Sequence, residues 1–248
     1  MADRDAHLTD PAFRNVPVER LTDPTYAQSL ADRIDPHRAA RPSATTNPPG
    51  GGTVYLAAVD AEGNAVSLIE SNYEGFGSGV VDPDTGIHYQ NRGSYFSLDP
   101  GHVNVLEPGK RTLHTLLPGM LFRGGRAGPW VVAGSMGGDA QPQIHAQLVS
   151  ALVDGGVDIR TVISAPRWYV EPDGHFAPPV EVRLEARHRA GVAEGLAALG
   201  HPVTDAAPFD PDLGHEHAIE LVGGGPGTPD GSLAAATDPR SAGLPAVH

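Results

Sequence analysis

The chain has 248 residues, enough for one large domain or two small ones, and carries 17 Lys and Arg against 30 Asp and Glu, a formal charge of −13. That balance argues against binding a phosphate backbone, and no basic run offsets it. The absence of cysteine excludes disulfides and thiolate metal sites. No stretch approaches the ~18 apolar residues of a membrane span, and the polar start Met1-Ala2-Asp3-Arg4-Asp5 does not read as a signal peptide, which points to a cytoplasmic protein.

Residues 1–36 read as short helices, with Asp10-Pro11 and Asp23-Pro24 each placing an N-cap acceptor before a first-turn proline. Residues 37–52, with Pro42, Pro48, Pro49 and three glycines, read as an exposed loop. Val54–Val59 and Ala65–Glu70 predict two strands joined by the turn Asp60-Ala61-Glu62-Gly63-Asn64. Two more strands are expected over Leu113–Phe122 and Trp130–Ala133, around a glycine-rich turn. Asp139 stands where it can cap a helix over 140–154, whose Ile144, Leu148, Ala151 and Leu152 share one face. A second helix is expected over 187–199 with Gly200 as its stop, and strands near 218–222 and 233–237 end the pattern. Strands, then helices, then strands suggest an α+β chain: a pair of sheets with helices outside.

The run Gly50-Gly51-Gly52-Thr53-Val54-Tyr55-Leu56 carries the chemistry. Glycine leaves its carbonyl unobstructed and tolerates strained backbone. A strand beginning at the next residue fixes the threonine. This suits a chain that cuts itself between Gly52 and Thr53 and then uses the new N-terminal threonine, its hydroxyl attacking and its α-amine acting as base. An α-amine titrates near ~7.7–8.0, so it accepts a proton near neutral pH. A glycine turn before an ordinary strand is the plainer alternative.

An ordered series of motifs favours the first. Thr53 with Val59-Asp60, then Gly63-Asn64-Ala65-Val66-Ser67, Phe76-Gly77-Ser78-Gly79, Thr85-Gly86-Ile87, Pro108-Gly109-Lys110-Arg111, Gly134-Ser135-Met136-Gly137-Gly138, Ala165-Pro166-Arg167 and Asp238-Pro239-Arg240-Ser241 resemble the γ-glutamyltranspeptidase family of N-terminal-nucleophile hydrolases almost end to end. The resemblance implies a four-layer αββα sandwich. It also implies that residues 1–52 correspond to the end of a large subunit and 53–248 to the small catalytic subunit, most of the large subunit being absent. A large-subunit-like chain or a second copy then becomes the expected partner, a small-molecule amide the expected substrate, and no cofactor or metal is required.

Residue by residue, the resemblance makes Thr53 the nucleophile, Ser71 the hydroxyl that orients it in place of a second threonine, and Gly137 and Gly138 the oxyanion-binding pair. Two successive unobstructed N–H groups suit that task, and losing one such donor typically costs ~10²–10³ in rate. The acyl pocket departs from the family pattern. An Asn, a Gln or Glu, and an Asp that bind a γ-glutamyl group are replaced by Tyr73, Arg92 and Tyr95, and two serines by His114 and Thr115. An ammonium ~4 Å from Arg92 would be repelled by ~4 kcal/mol at an effective dielectric of ~20, whereas a carboxylate would be attracted. The expected acyl group therefore ends in a carboxylate, as glutaryl does, or is apolar and held by Tyr73 and Tyr95. A solvated arginine paired with an aspartate is the plain alternative for Arg92. For the whole chain the competing class is a non-catalytic remnant that works by association. His215-Glu216-His217 has a spacing that metals can use, but no third ligand is evident.

Overall fold

A computed structural model describes residues 2–40, 52–172, 180–223, 225, 226, 228 and 230–246. The first helices, α1 (Ala2–His7), α2 (Val18–Leu21) and α3 (Pro24–Ala31), are short, and the Asp23 side chain accepts from Thr25 N at the start of α3. Asp10-Pro11 starts no helix. The buried Asp10 carboxylate accepts from Ala12 N and from Arg111 N far along the chain, so it closes a turn and pins the N-terminal segment. Of the loop expected over 37–52, residues 41–51 lie outside the described residues.

Strands β1 (Thr53–Val59) and β2 (Ala65–Ser71) form the expected hairpin, and Asp60 gathers the turn by accepting from Glu62 N and Asn64 N. Its register sets Thr53 directly opposite Ser71. A second sheet runs in the order β3 (Gly119–Leu121), β4 (Val131–Met136), β8 (His215–Val222), β9 (Ser232–Thr237), all antiparallel. The strand expected over 113–122 is thus confined to three residues. Upstream of Gly119, backbone and side chains turn towards neighbours instead: Leu117 N donates to Gln141 Oε1, and Leu113 N to Asn104 Oδ1.

The hairpin packs on β4 and β8, and helices α4 (Gln141–Val153) and α5 (Ile159–Ser164) pack on the opposite face. Strand β4 is therefore covered on both sides, which is why Val131, Val132 and Ala133 form an unbroken apolar run. Ile144, Leu148 and Leu152 of α4 are buried, each contributing ~1.5–3 kcal/mol by leaving water. Asp139 does not cap α4. A 3-10 turn over Gly138–Ala140 precedes the helix, Ala140 is its N-cap without a side-chain bond, and Asp139 is drawn away to Arg4 and Tyr95.

A third sheet holds β5 (Trp168–Pro172), β6 (Val180–Glu185) and β7 (Val203–Ala206), with β6 and β7 parallel and joined through α6 (Val192–Ala198). The helix expected from 187 begins only at Val192, after a turn, and stops before Gly200, whose φ is 92°. The fold is thus mixed α+β, with the hairpin on one face of the second sheet and α4 and α5 on the other. The outward face of the hairpin stays bare: Val54 is 58% exposed, Leu56 43%, Val66 50% and Leu68 45%.

Candidate active site

Thr53 opens β1 and Ser71 closes β2, so their pairing across the hairpin brings the two hydroxyls to 2.7 Å. Gly52, just before Thr53, has φ 113° and lies so close to Gly75 that a Cβ would come within 2.6 Å of Gly75 O, so only glycine fits. Its carbonyl accepts from Asn72 N at 3.4 Å, which extends the ladder across the Gly52–Thr53 bond. Gly50 and Gly51 lie outside the described residues.

Three further groups converge on Ser71. Tyr73 N donates to Ser71 Oγ at 2.9 Å, closing a tight turn in which Tyr73 takes φ 76°, a strained value for a bulky residue. Arg92, in a 3-10 turn over Arg92–Tyr95, donates from Nη2 to Ser71 Oγ at 3.0 Å and from Nη1 to Thr115 Oγ1 at 3.2 Å. Its guanidinium lies 4.9 Å from the centre of the Tyr73 ring. Tyr73 and Tyr95 are buried as a tilted pair with centroids 4.8 Å apart. Arg92 is 6% exposed and, among the described residues, forms no ion pair with a carboxylate. That overturns the plain reading of Arg92 as a solvated arginine paired with an aspartate. Burial holds its pKa below the usual arginine value, though the neighbouring Tyr95, Tyr73 and Asp139 act in the opposite sense.

Tyr95 leads on to the glycine turn. Its hydroxyl donates to both Asp139 oxygens at 3.4 Å, and Asp139 is also ion-paired with Arg4 of α1. Burial raises the Asp139 pKa in spite of Arg4. Gly137 has φ 149°, and a Cβ there would meet Ile144 Cδ1 at 2.8 Å; Gly138 has φ 51° and is buried. Among the described residues no acceptor takes the N–H of Gly137 or Gly138. Two free donors at the entrance of a turn are what an oxyanion needs.

His114 is more loosely placed. Its Nδ1 accepts from Leu116 N at 3.2 Å, so the neutral ring carries its proton on Nε2; burial first, then Arg92 and Arg111, lower its pKa. Thus Thr53, Ser71, Tyr73, Arg92, Tyr95 and Thr115 form one connected cluster, His114 flanks it, and Tyr95 links it through Asp139 to Gly137 and Gly138. Arg4 was not singled out from the sequence. An arginine in a polar N-terminal segment gives no signal of a partner so distant in the chain.

Two matched motifs serve structure instead. Arg167 Nη1 reaches Asp238 at 2.6 Å and Nη2 reaches Glu216 at 3.1 Å, while Arg240 joins Asp238 at 3.0 Å and also pairs with Glu185. All five side chains are buried. Glu216 therefore points inward from the His215-Glu216-His217 strand, and among the described residues no three groups are arranged to hold a metal.

The chain is similar to several known proteins. The family model described as Gamma-glutamyltranspeptidase matches residues 1–247. The glutathione hydrolase-like YwrD proenzyme of Bacillus subtilis (strain 168) is 42% identical over 247 residues, covering 97% of this chain and 44% of that protein. The oxamate amidohydrolase proenzyme of Klebsiella pneumoniae is 43% identical over 251 residues, covering 99% of this chain and again 44% of that protein. The chain therefore spans less than half the length of these relatives. Among solved structures, a cephalosporin acylase from Bacillus halodurans superposes with TM-score 0.77 at 38% identity, over 96% of this chain and 41% of that one. A gamma-glutamyltranspeptidase from Pseudomonas nitroreducens complexed with L-DON superposes with TM-score 0.63 at 27% identity, over 78% of this chain and 98% of that one. The chain belongs to the γ-glutamyltranspeptidase family.

Proposed function

We propose that residues 53–248 are the small catalytic part of an N-terminal-threonine amidohydrolase, released from residues 1–52 by cleavage at Gly52–Thr53. In processing, Thr53 Oγ attacks the Gly52 carbonyl carbon, the C–N bond breaks as the acyl group moves to oxygen and the Thr53 amine is released, and water then hydrolyses the ester to free the Thr53 hydroxyl and the Gly52 carboxylate. In turnover the same oxygen attacks a substrate amide. The α-amine takes the hydroxyl proton and passes it to the leaving amine, and water then resolves the acyl-Thr53 ester. Ser71 orients the attacking oxygen, and the free N–H groups of Gly137 and Gly138 receive the oxyanion.

The observation that carries the substrate reading is Arg92: a buried guanidinium one hydroxyl away from Thr53 with no carboxylate of its own among the described residues. A buried unpaired cation is costly, and a substrate carboxylate relieves it. Thr115, which accepts from Arg92, keeps its own hydrogen to donate to such a group. The acyl group therefore ends in a carboxylate and lacks an α-ammonium. Glutaryl amides meet that description, and so does oxamate, the substrate in the name of one relative. The Tyr73–Tyr95 pair supports Arg92 from behind, so an apolar acyl group held by these rings is the lesser reading.

The bare apolar face of the hairpin supports the four-layer form, in which a large-subunit-like chain or a second copy supplies the missing cover. A non-catalytic remnant would need that same cover but would not need an unpaired arginine beside the hydroxyls. The test compares a γ-glutamyl anilide with its glutaryl counterpart, after mass spectrometry has shown a fragment beginning at Thr53 in the parent and none in Thr53→Ala. The glutaryl compound should be the better substrate, and Arg92→Gln should narrow the gap. A preference for the γ-glutamyl compound that Arg92→Gln leaves unchanged would overturn the substrate reading.

A further inference from the structure

The hydrogen-bond inventory at Ser71 fixes the direction of its bond to Thr53. A hydroxyl oxygen offers two lone pairs and one hydrogen. Both lone pairs of Ser71 Oγ are taken, by Tyr73 N at 2.9 Å and by Arg92 Nη2 at 3.0 Å. The hydrogen that remains goes to Thr53 Oγ1, 2.7 Å away. Thr53 is therefore the acceptor in this pair and keeps its own hydrogen for a base. The charge behind Ser71 is not neutralised nearby. Tyr73 and Tyr95 face Arg92, and burial raises the pKa of both phenols, so both stay neutral. His114 is kept towards its neutral form, and Asp139 lies beyond the Tyr95 hydroxyl, already paired with Arg4.

We propose that Arg92 is a positioning residue for the nucleophile: through Ser71 it imposes the direction of the Ser71–Thr53 hydrogen bond and lowers the proton affinity of the oxygen at position 53. This rests on Thr53 being the nucleophile and adds a second task to Arg92. A guanidinium has five N–H donors, and the two spent on Ser71 and Thr115 leave others for a substrate carboxylate. Lysine could carry the charge but could not fork to both hydroxyls.

Because the sequence contains no cysteine, Thr53→Cys creates a protein with a single thiol at the position in question. Its titration, followed by the rate of iodoacetamide alkylation against pH on the intact chain, needs no catalysis, so a failure of the hydrolase reading would leave this result standing and the reverse also holds. A free thiol titrates near ~8.5, and one activated by a neighbouring arginine at ~3.5–7.5. The thiol in Thr53→Cys should titrate below ~7.5, and adding Arg92→Gln should raise it by about one unit or more. Adding Ser71→Ala should at least halve that shift. Circular dichroism checks folding, and if Arg92→Gln unfolds, Arg92→Lys replaces it, with a smaller rise expected because the fork is lost. A thiol with the ordinary value that neither Arg92 variant moves overturns the proposal. A shift of equal size with and without Ser71 overturns action through Ser71.

Discussion

At the scale of single residues, burial decides more than identity. Glu216 is the clearest case. Burial first, and then Asp238, raise its carboxyl against the pull of Arg167 and Arg240, to about 8. An unfolded glutamate titrates near ~4.3. The folded chain thus holds a proton that the unfolded chain has lost, so the Glu216 contribution to stability is complete below ~4.3 and drains away as pH rises to about 8. Glu185 runs the other way. Burial opposes its charge, but hydrogen bonds from Arg187, Arg240, Arg167 N and Phe209 N outweigh it and hold the carboxyl at about 2. Its contribution is present above ~4.3 and is lost only in acid, so it is constant over the window in which Glu216 acts. Glu216→Gln should therefore flatten the decline in thermal midpoint between pH 5 and pH 8, and an equally steep decline in both proteins would refute the assignment.

At the scale of elements, the hairpin and the sheet beneath it are fitted together at one glycine. Tyr55 of β1 lies over Gly134 of β4, where a Cβ would come within 2.3 Å of Tyr55 Cε2, and its hydroxyl bonds Ser67 at 2.9 Å. Since Tyr55 is two residues from Thr53 on the same face, this contact sets how the nucleophile strand sits on β4. Gly134→Ala should cost about 1–3 kcal/mol, read as a lower urea midpoint with an unchanged slope. A midpoint equal to that of the parent would mean the ring moves aside freely. The hairpin was legible in the sequence because its turn residues and alternation are local. From the turn pairing of Val59 with Ala65, the register runs on to place Thr53 opposite Ser71. Strands β5, β6 and β7 were not read from the sequence. In β6, Val180, Val182 and Leu184 alternate with Glu181, Arg183 and Glu185, yet Glu185 is itself buried, and it is tolerated there because Arg187, two residues on, and Arg240, distant in the chain, both meet it.

At the scale of the whole molecule, two surfaces contrast. The N-terminal segment is clasped to the later chain by Arg4–Asp139, by Asp10 with Arg111, by Arg14–Glu107 at 2.9 Å and by Ala39 N donating to Leu199 O at 2.8 Å. The outward hairpin face, by contrast, presents Leu56 and Leu68 to water. Replacing both by Lys should change the stability of the isolated chain by no more than ~0.5 kcal/mol, as exposed substitutions do. On the four-layer form proposed above, it should also abolish assembly with a large-subunit-like chain or with a second copy, which sedimentation would report. A pronounced fall in the melting point of the isolated double variant would mean that this face already packs against the chain itself.

The sequence by itself determined the family, the mixed α+β class, the hairpin that begins at Thr53, the amphipathic face of α4 and the residue types gathered at the candidate site. These follow from local chemistry: turn residues, alternation, helical spacing and ordered motifs. Only the tertiary structure decided that Arg92 is buried without a carboxylate partner among the described residues, that Asp139 serves Arg4 and Tyr95 rather than the start of α4, that Glu216 is buried against Arg167, and that among the described residues no acceptor takes the Gly137 and Gly138 N–H groups. Each of these depends on which distant groups surround a charge or a donor. Solvent exclusion and electrostatic pairing are set by the packed fold, so no stretch of sequence around the residue records them.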